Sequence, residues 1–218
     1  MRPDSEPALD ARKLPRQARS QATVDAIFDA TIQVLLAEGL QRLTTIRVAE
    51  RAGVSVGTLY QYFPQKQALL FAVLQRHLER VLKTLTEAAE SVHHQPLSTM
   101  VESIVTAYVR VKTANLDESR ALYAVAAELD APGYVRDVQA RNRAVLEAML
   151  KTAADAQFDD VATVTFMLSG ALTGPLRLLL EGGAPKTTHR KLCEQLTSLC
   201  LGYLEREARP KPRSKRAL

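Results

Sequence analysis

Apolar residues recur along this chain at the three- and four-residue spacing of helices rather than at the alternation of strands. From Ser20 onward, Val24, Ile27, Phe28, Thr31, Val34 and Leu35 make one such stripe, and Gly39 suits the left-handed position that ends a helix. Thr44 is placed to cap a short helix running through Ala52, with Ile46, Val48 and Ala49 as its apolar positions. Gly53 fits a left-handed turn, Val54 can plug a core, and Ser55 can cap a second short helix to about Tyr62. Phe63-Pro64 stops that helix. A long amphipathic segment then runs from Lys66 to roughly Ser91, with Leu69, Leu70, Val73, Leu74, His77, Val81 and Leu85 on or near one face.

His93-His94-Gln95-Pro96 reads as a loop. Further helical stretches are expected over Leu97 to Ala114, Asp117 to Leu129, Gly133 to Ala154, Asp159 to Glu181 and about Pro185 to Glu207, separated by short breaks of turn composition. Pro175 predicts a kink or break just before Leu176. No alternating strand and no internal repeat is evident, so the fold expected is all-α with about nine helices.

Hydrophobic residues make up 46% of the 218 and charged residues 24%, the balance of a folded globular protein. The net charge of +5 invites a nucleic-acid reading, but six basic residues between Arg206 and Arg216 against Glu207 alone account for all of it. Local positions must therefore carry any such argument. No run approaches the roughly 18 to 20 apolar residues of a membrane span, and the first ten residues hold three acids and no apolar leader core. A cytoplasmic protein with no membrane partner is expected.

Cys193 and Cys200 lie on one predicted helix about 10 Å apart by helical rise, too far to bridge, and read as small core residues. His77, His93, His94 and His189 lack ligand spacing, so neither a metal nor another cofactor is expected. No nucleophile-base set, Gly-rich phosphate loop or paired metal motif is present, which argues against an enzyme.

The segment from Thr44 to Leu70 has a logic of its own. Val48, Ala49, Val54, Leu59 and Phe63 can knit the two short helices together, leaving Thr45, Arg47, Ser55, Thr58, Tyr60, Gln61, Tyr62 and Lys66 outside, where hydroxyls, phenols and an ammonium suit phosphate oxygens. Two tyrosines two apart cannot both face one core, so at least one of Tyr60 and Tyr62 should project outward. The run Ala-Gly-Val-Ser, Gly-Thr-Leu-Tyr, Tyr-Phe-Pro and Lys within this segment closely resembles the signature of tetracycline-repressor-type (TetR family) regulators, over about Ser20 to Leu74. The remainder is similar to that family in being helical and of suitable length.

The resemblance implies that Val56 to Tyr62 is a recognition helix for the major groove. Thr45, Tyr60, Tyr62 and Lys66 would contact phosphates, and Val56, Gly57, Thr58 and Gln61 would fall to base reading. Val56 and Gly57 offer no polar side chain, and Ile46 stands where a polar residue could have read a base. Gly57 costs about 1 kcal/mol relative to Ala inside a helix. Either a close approach to DNA or a tight turn needing a small residue would explain it.

The organisation that follows is a flexible basic arm over residues 1–19, a helix-turn-helix domain over 20–65, a helical effector-binding and dimerisation domain over 66–207 and a basic disordered tail over 208–218. The family's usual arrangement implies a homodimer on an inverted-repeat DNA operator, released as a repressor by a small apolar or amphipathic effector. An effector-independent or activating regulator is the alternative. Tyr108, Tyr123, Met149, Phe166 and Met167 are the candidate pocket lining, with ordinary core as the competing role. Leu168, Leu172, Leu176, Leu192, Leu196 and Leu199 are the candidate dimer seam, with intrachain core as theirs.

Overall fold

The structure is a computed structural model that describes residues 18–129, 132–182 and 188–211. Among them are nine helices, α1 (Ala18–Glu38), α2 (Thr45–Ala52), α3 (Val56–Tyr62), α4 (Lys66–Ser91), α5 (Leu97–Thr113), α6 (Leu116–Glu128), α7 (Pro132–Lys151), α8 (Val161–Leu180) and α9 (Thr188–Glu207). Two short strands, β1 (Ala156–Gln157) and β2 (Arg209–Pro210), complete the set. The chain divides into two compact units, one of residues up to Leu78 with Asp117–Ala131, the other of Glu79–Leu116 with Pro132–Leu218. By compactness the first division falls at Leu78/Glu79, with the expected boundary at 65/66 inside the first unit.

The first unit owes its short helices to their caps. The Thr44 hydroxyl accepts the Arg47 N–H at 3.3 Å and the Ser55 hydroxyl accepts that of Thr58 at 2.9 Å, so both predicted N-caps are formed. Between the helices Gly53, at φ +67°, turns the chain in the left-handed region while its N–H reaches the last carbonyls of α2. Ile27 of α1, Val48 of α2, Leu59 of α3 and Leu69 and Leu74 of α4 are buried together. The same core takes in Leu122 and Val125 of α6, which is why residues 117–131 belong with it. His77 and Glu118 are buried as well, their Nδ1 and Oε1 3.6 Å apart. The buried rings of Phe28 and Phe63 have their centroids 5.6 Å apart, with the Arg76 guanidinium 5.3 Å from the Phe28 ring centre.

The second unit is a helical pack in which α9 lies against α5 and α8, and α8 against α7. Its core gathers Leu85, Met100, Ile104, Met149, Leu168, Leu172, Leu176, Leu196 and Leu204. Arg141 binds Glu79 and also Asp137, at 3.1 Å, and the Tyr134 hydroxyl donates to Glu79 at 3.1 Å, so these donors hold the Glu79 carboxyl below its usual range.

Three expectations about this unit are corrected. Of the kink or break expected at Pro175, the break is absent: α8 is continuous from Val161 to Leu180, and buried Leu172 and Leu176 on either side supply packing that offsets the missing backbone donor. The start of the supposedly disordered tail is ordered, because β2 pairs antiparallel with β1 (Ala156 with Pro210, Gln157 with Arg209). Lys211 donates through its N–H to the Asp155 carbonyl and through Nζ to that of Ala153, both at 3.1 Å, while Arg209 pairs with Asp159. Two-residue strands carry no alternation that a sequence pattern can reveal. Finally, α8 is, by length and composition, long and apolar enough to cross a membrane. Threonines and glycines disguise its apolarity by eye, yet Arg177 is its only charge. Residues 1–17 of the expected arm, the remainder of the tail from Pro212 and the side chain of His189 lie outside what the structure describes, while Ala18 and Arg19, expected in the arm, open α1.

Candidate nucleic-acid interface

Helix α3 turns Leu59 inward and leaves Gly57, Tyr60 and Gln61 exposed, with Val56, Thr58 and Tyr62 half-buried at the flanks. A helix advances 100° per residue, so Gly57 and Gln61, four apart, occupy the middle of the outward face. Because helical side chains lean toward the N-terminus, the Gln61 amide extends over the turn that holds Gly57. A Cβ at Gly57 would meet nothing nearer than the Ser55 hydroxyl, at 3.7 Å, and its φ is not in the left-handed region. Crowding within the unit therefore does not require glycine there, which removes the tight-turn explanation and leaves close approach of something outside.

The other polar residues of the head hold partners within it. The Tyr60 hydroxyl lies 3.0 Å from that of Thr45, a buried residue, and the Tyr62 hydroxyl 2.9 Å from that of Ser20. Tyr60 is the more exposed of the two, as one outward tyrosine was expected. Lys66 donates through Nζ to the Leu40 carbonyl at 2.9 Å. Arg47 pairs with Glu38, and the Arg51 Nε donates to the Gln33 amide oxygen at 2.6 Å, so both arginines of α2 turn toward α1. Ser55 caps α3 and its hydroxyl lies 2.8 Å from that of Thr58. Ile46, on α2, is 55% exposed.

Such an arrangement, a short exposed helix with a flat centre and a rim of hydroxyls and cations, suits insertion into a groove lined by phosphates. Residues 27–73 match the family model described as bacterial regulatory proteins, tetR family, and residues 96–204, half of the chain, match the one described as tetracyclin repressor-like, C-terminal domain. The chain belongs to the tetR family. Over 55 residues, a quarter of its length, this tetR-family chain is 47% identical to the HTH-type transcriptional repressor KstR of Mycolicibacterium smegmatis, covering 27% of that protein. Over 90 residues it is 31% identical to the HTH-type transcriptional regulator UidR of Escherichia coli strain K12, covering 41% of this chain and 45% of that one. The chain thus spans less than half the length of these curated relatives. Its fold is that of a TetR transcription regulator from Haloarcula marismortui (TM-score 0.70, 19% identity, 87% of this chain and all of that one). A tetR-family regulator from Mesorhizobium loti shares it too (TM-score 0.68, 17% identity, 88% and all).

The expected pocket residues stand in different surroundings. Tyr108 and Met149 are buried in the core of the second unit, where burial pushes the Tyr108 phenol well above its usual range. Phe166 and Met167 instead stand on the outer face of α8, 62% and 51% exposed, and Tyr123 is an exposed residue of the first unit. At 100° per residue, Phe166 lies about 200° round α8 from buried Leu168 and Met167 about 140° from buried Leu172, so both turn away from the core.

The expected dimer seam is likewise redistributed. Leu168, Leu172, Leu176, Leu192 and Leu196 are buried within the chain, and Leu199 alone of the six is open, at 52%. Unforeseen is Leu178, 57% exposed, which completes a row Phe166, Gly170, Gly174, Leu178 along α8. A Cβ at Gly170, at Gly174 or at Gly202 of α9 would meet nothing within 4 Å. The row of small residues between two large ones was the signal in the sequence that pointed to this face.

Elsewhere on the second unit a groove of about 350 Å³ is lined by Ala88, Thr99, Glu102, Ser103, Thr106 and Arg110. The half-exposed Cys193 thiol lies 3.6 Å from the Thr106 hydroxyl, while Cys200 is buried and its thiol pushed up to about 11. Among the described residues no three or more His, Cys, Asp or Glu side chains are grouped to hold a metal ion.

Proposed function

We propose that this chain is a sequence-specific DNA-binding transcriptional repressor that sits on an inverted-repeat operator as a homodimer and is released by a small molecule. The observation that carries the reading is the outward face of α3, whose centre is kept flat by a glycine that nothing inside the protein requires. In this reading Thr45, Tyr60, Tyr62 and Lys66 exchange their internal partners for phosphate oxygens, Arg47 and Ser55 flank them, and Val56, Gly57, Thr58 and Gln61 face base edges. Catalysis has no part in it.

A single head covers one half-site, and the exposed row on α8 with Leu199 of α9 supports pairing of two chains. Glycines on that face would let a second pair of helices approach closely, and its apolar area is the reason we read α8 as a protein contact and not a membrane span. We read the protein as cytoplasmic accordingly. The effector is an apolar or amphipathic molecule taken into the helical second unit. Capture of source-genome fragments on the purified protein at near-physiological salt is expected to retain a shared inverted repeat. Retention without any common sequence would reduce the head to a nonspecific basic surface and overturn the reading.

A further inference from the structure

We propose that the half-site this chain reads is A·T-rich, with the Gln61 amide pairing one adenine in the major groove and the methyl-bearing side chains of Ile46, Val56 and Thr58 seated against thymine methyl groups. The inference rests on α3 being the recognition helix, as argued above.

It follows from what the outward face holds and what it lacks. Guanine is read in the major groove by Arg or Lys at O6 and N7, and cytosine by Asp or Glu at its amino group. None of these four residue types occurs in α3, whose sequence is VGTLYQY. Cations on the neighbouring segments are held to partners away from the outward face of α3, and those released on binding are read above as phosphate contacts: Arg47 with Glu38, Arg51 with Gln33, Arg42 with the Glu38 carbonyl and Lys66 with the Leu40 carbonyl. Both tyrosine hydroxyls are engaged in the same way, and the hydroxyl of half-buried Thr58 is engaged with that of Ser55, so the methyl group is the end of that side chain without a polar partner.

Gln61 is thus the exposed side chain on α3 with a planar donor and acceptor to spare, and a glutamine amide matches adenine N6 and N7 together. Gly57 beneath it lets the helix sink until that amide reaches base depth. Around this one polar contact stand apolar groups. Ile46, 55% exposed, lies 100° round α2 from Arg47 and adjoins Thr45, whose hydroxyl meets that of Tyr60 on α3. Water gains nothing from an isoleucine on a polar DNA-reading surface, whereas a thymine methyl, the apolar group of the major groove, does.

The test uses the full chain. Duplexes selected from a random library are sequenced, and the selected half-site is then remade with uracil in place of thymine, which removes only the C5-methyl groups. A·T pairs should dominate the half-site, and uracil should weaken binding at least about fivefold. Gln61→Ala should lower the preference for adenine at one position about tenfold and leave the uracil penalty in place. Ile46→Ala should shrink the uracil penalty and leave the adenine preference. A G·C-dominated half-site, or equal affinity for uracil and thymine duplexes, would overturn the inference while leaving the regulator reading intact. Failure to prefer any duplex over bulk DNA would overturn that reading itself.

Discussion

In the first unit, Arg47, Arg51, Tyr60, Tyr62 and Lys66 each hold a partner inside the unit, whereas on the second Phe166, Met167, Leu178 and Leu199 face outward, each more than half exposed. The two surfaces differ in what water does for them. A hydroxyl or ammonium exchanges an internal acceptor for a phosphate oxygen at a small net change, about 1 kcal/mol per bond, so the head can stand free or bound. An exposed apolar side chain loses about 25 cal/mol for each Å² left in water, whatever its neighbours do. The head is thus fitted for reversible, salt-sensitive contact, and the outer face of α8 and α9 for a lasting one.

The comparison breaks first if the units are not what their cores say. Leu122→Ala, in the core that α6 shares with α1 to α4, is expected to cost about 2–5 kcal/mol in urea denaturation and to weaken DNA binding while the dimer persists. Loss of the dimer with DNA binding retained would assign α6 to the wrong unit. Next, Phe166→Glu combined with Leu199→Glu should raise the dimer dissociation constant at least about thirtyfold in sedimentation, with helical content unchanged. A persistent dimer would place the interface elsewhere.

The smallest effect concerns Lys112, half-buried on α5, whose ammonium burial and the nearby Arg80 lower to a pKa of about 8 from 10.5. A lysine depressed on folding contributes stability that is full above 10.5 and is lost as the pH falls through about 8, so at pH 7 its charge is a cost. Lys112→Met should raise Tm at pH 7 by about 2–4 °C and remove the gain in stability that the parent shows between pH 8 and 10. Parallel Tm profiles for the two proteins would show that the ammonium is better solvated than its surroundings suggest.

Local chemistry was readable from the sequence where it is set by near neighbours. Thr44, Gly53 and Ser55 fix the ends of α2 and α3 through contacts three to five residues long, and the span of α4 from Lys66 to Ser91 follows from one amphipathic period. The leucines of α8 and α9 were a different matter. A buried core and an exposed apolar face both show apolar residues three and four apart, so periodicity cannot tell that Leu172 is buried and Leu178 exposed. Nor does any local pattern tie Leu122 to Ile27, nearly a hundred positions away. The outward placement of Gly57, Tyr60 and Gln61 on α3 was legible because the caps fix where that helix begins and ends. The pocket set was not, since Phe166 and Met149 differ only in which neighbours surround them.

The partition of the first core between two stretches of chain also bears on how such proteins can be recombined. A chimera that grafts this reading head onto another body by a single crossover after α3 would leave behind Leu69, Leu70, Val73 and Leu74, and a later crossover at Leu78 would still omit Leu122 and Val125. The head is a cassette in two pieces. Exchange of operator specificity between relatives would accordingly proceed by swapping surface residues of α3 in place, whereas wholesale transplantation must bring along residues 117–131 or find a host helix that already fits them.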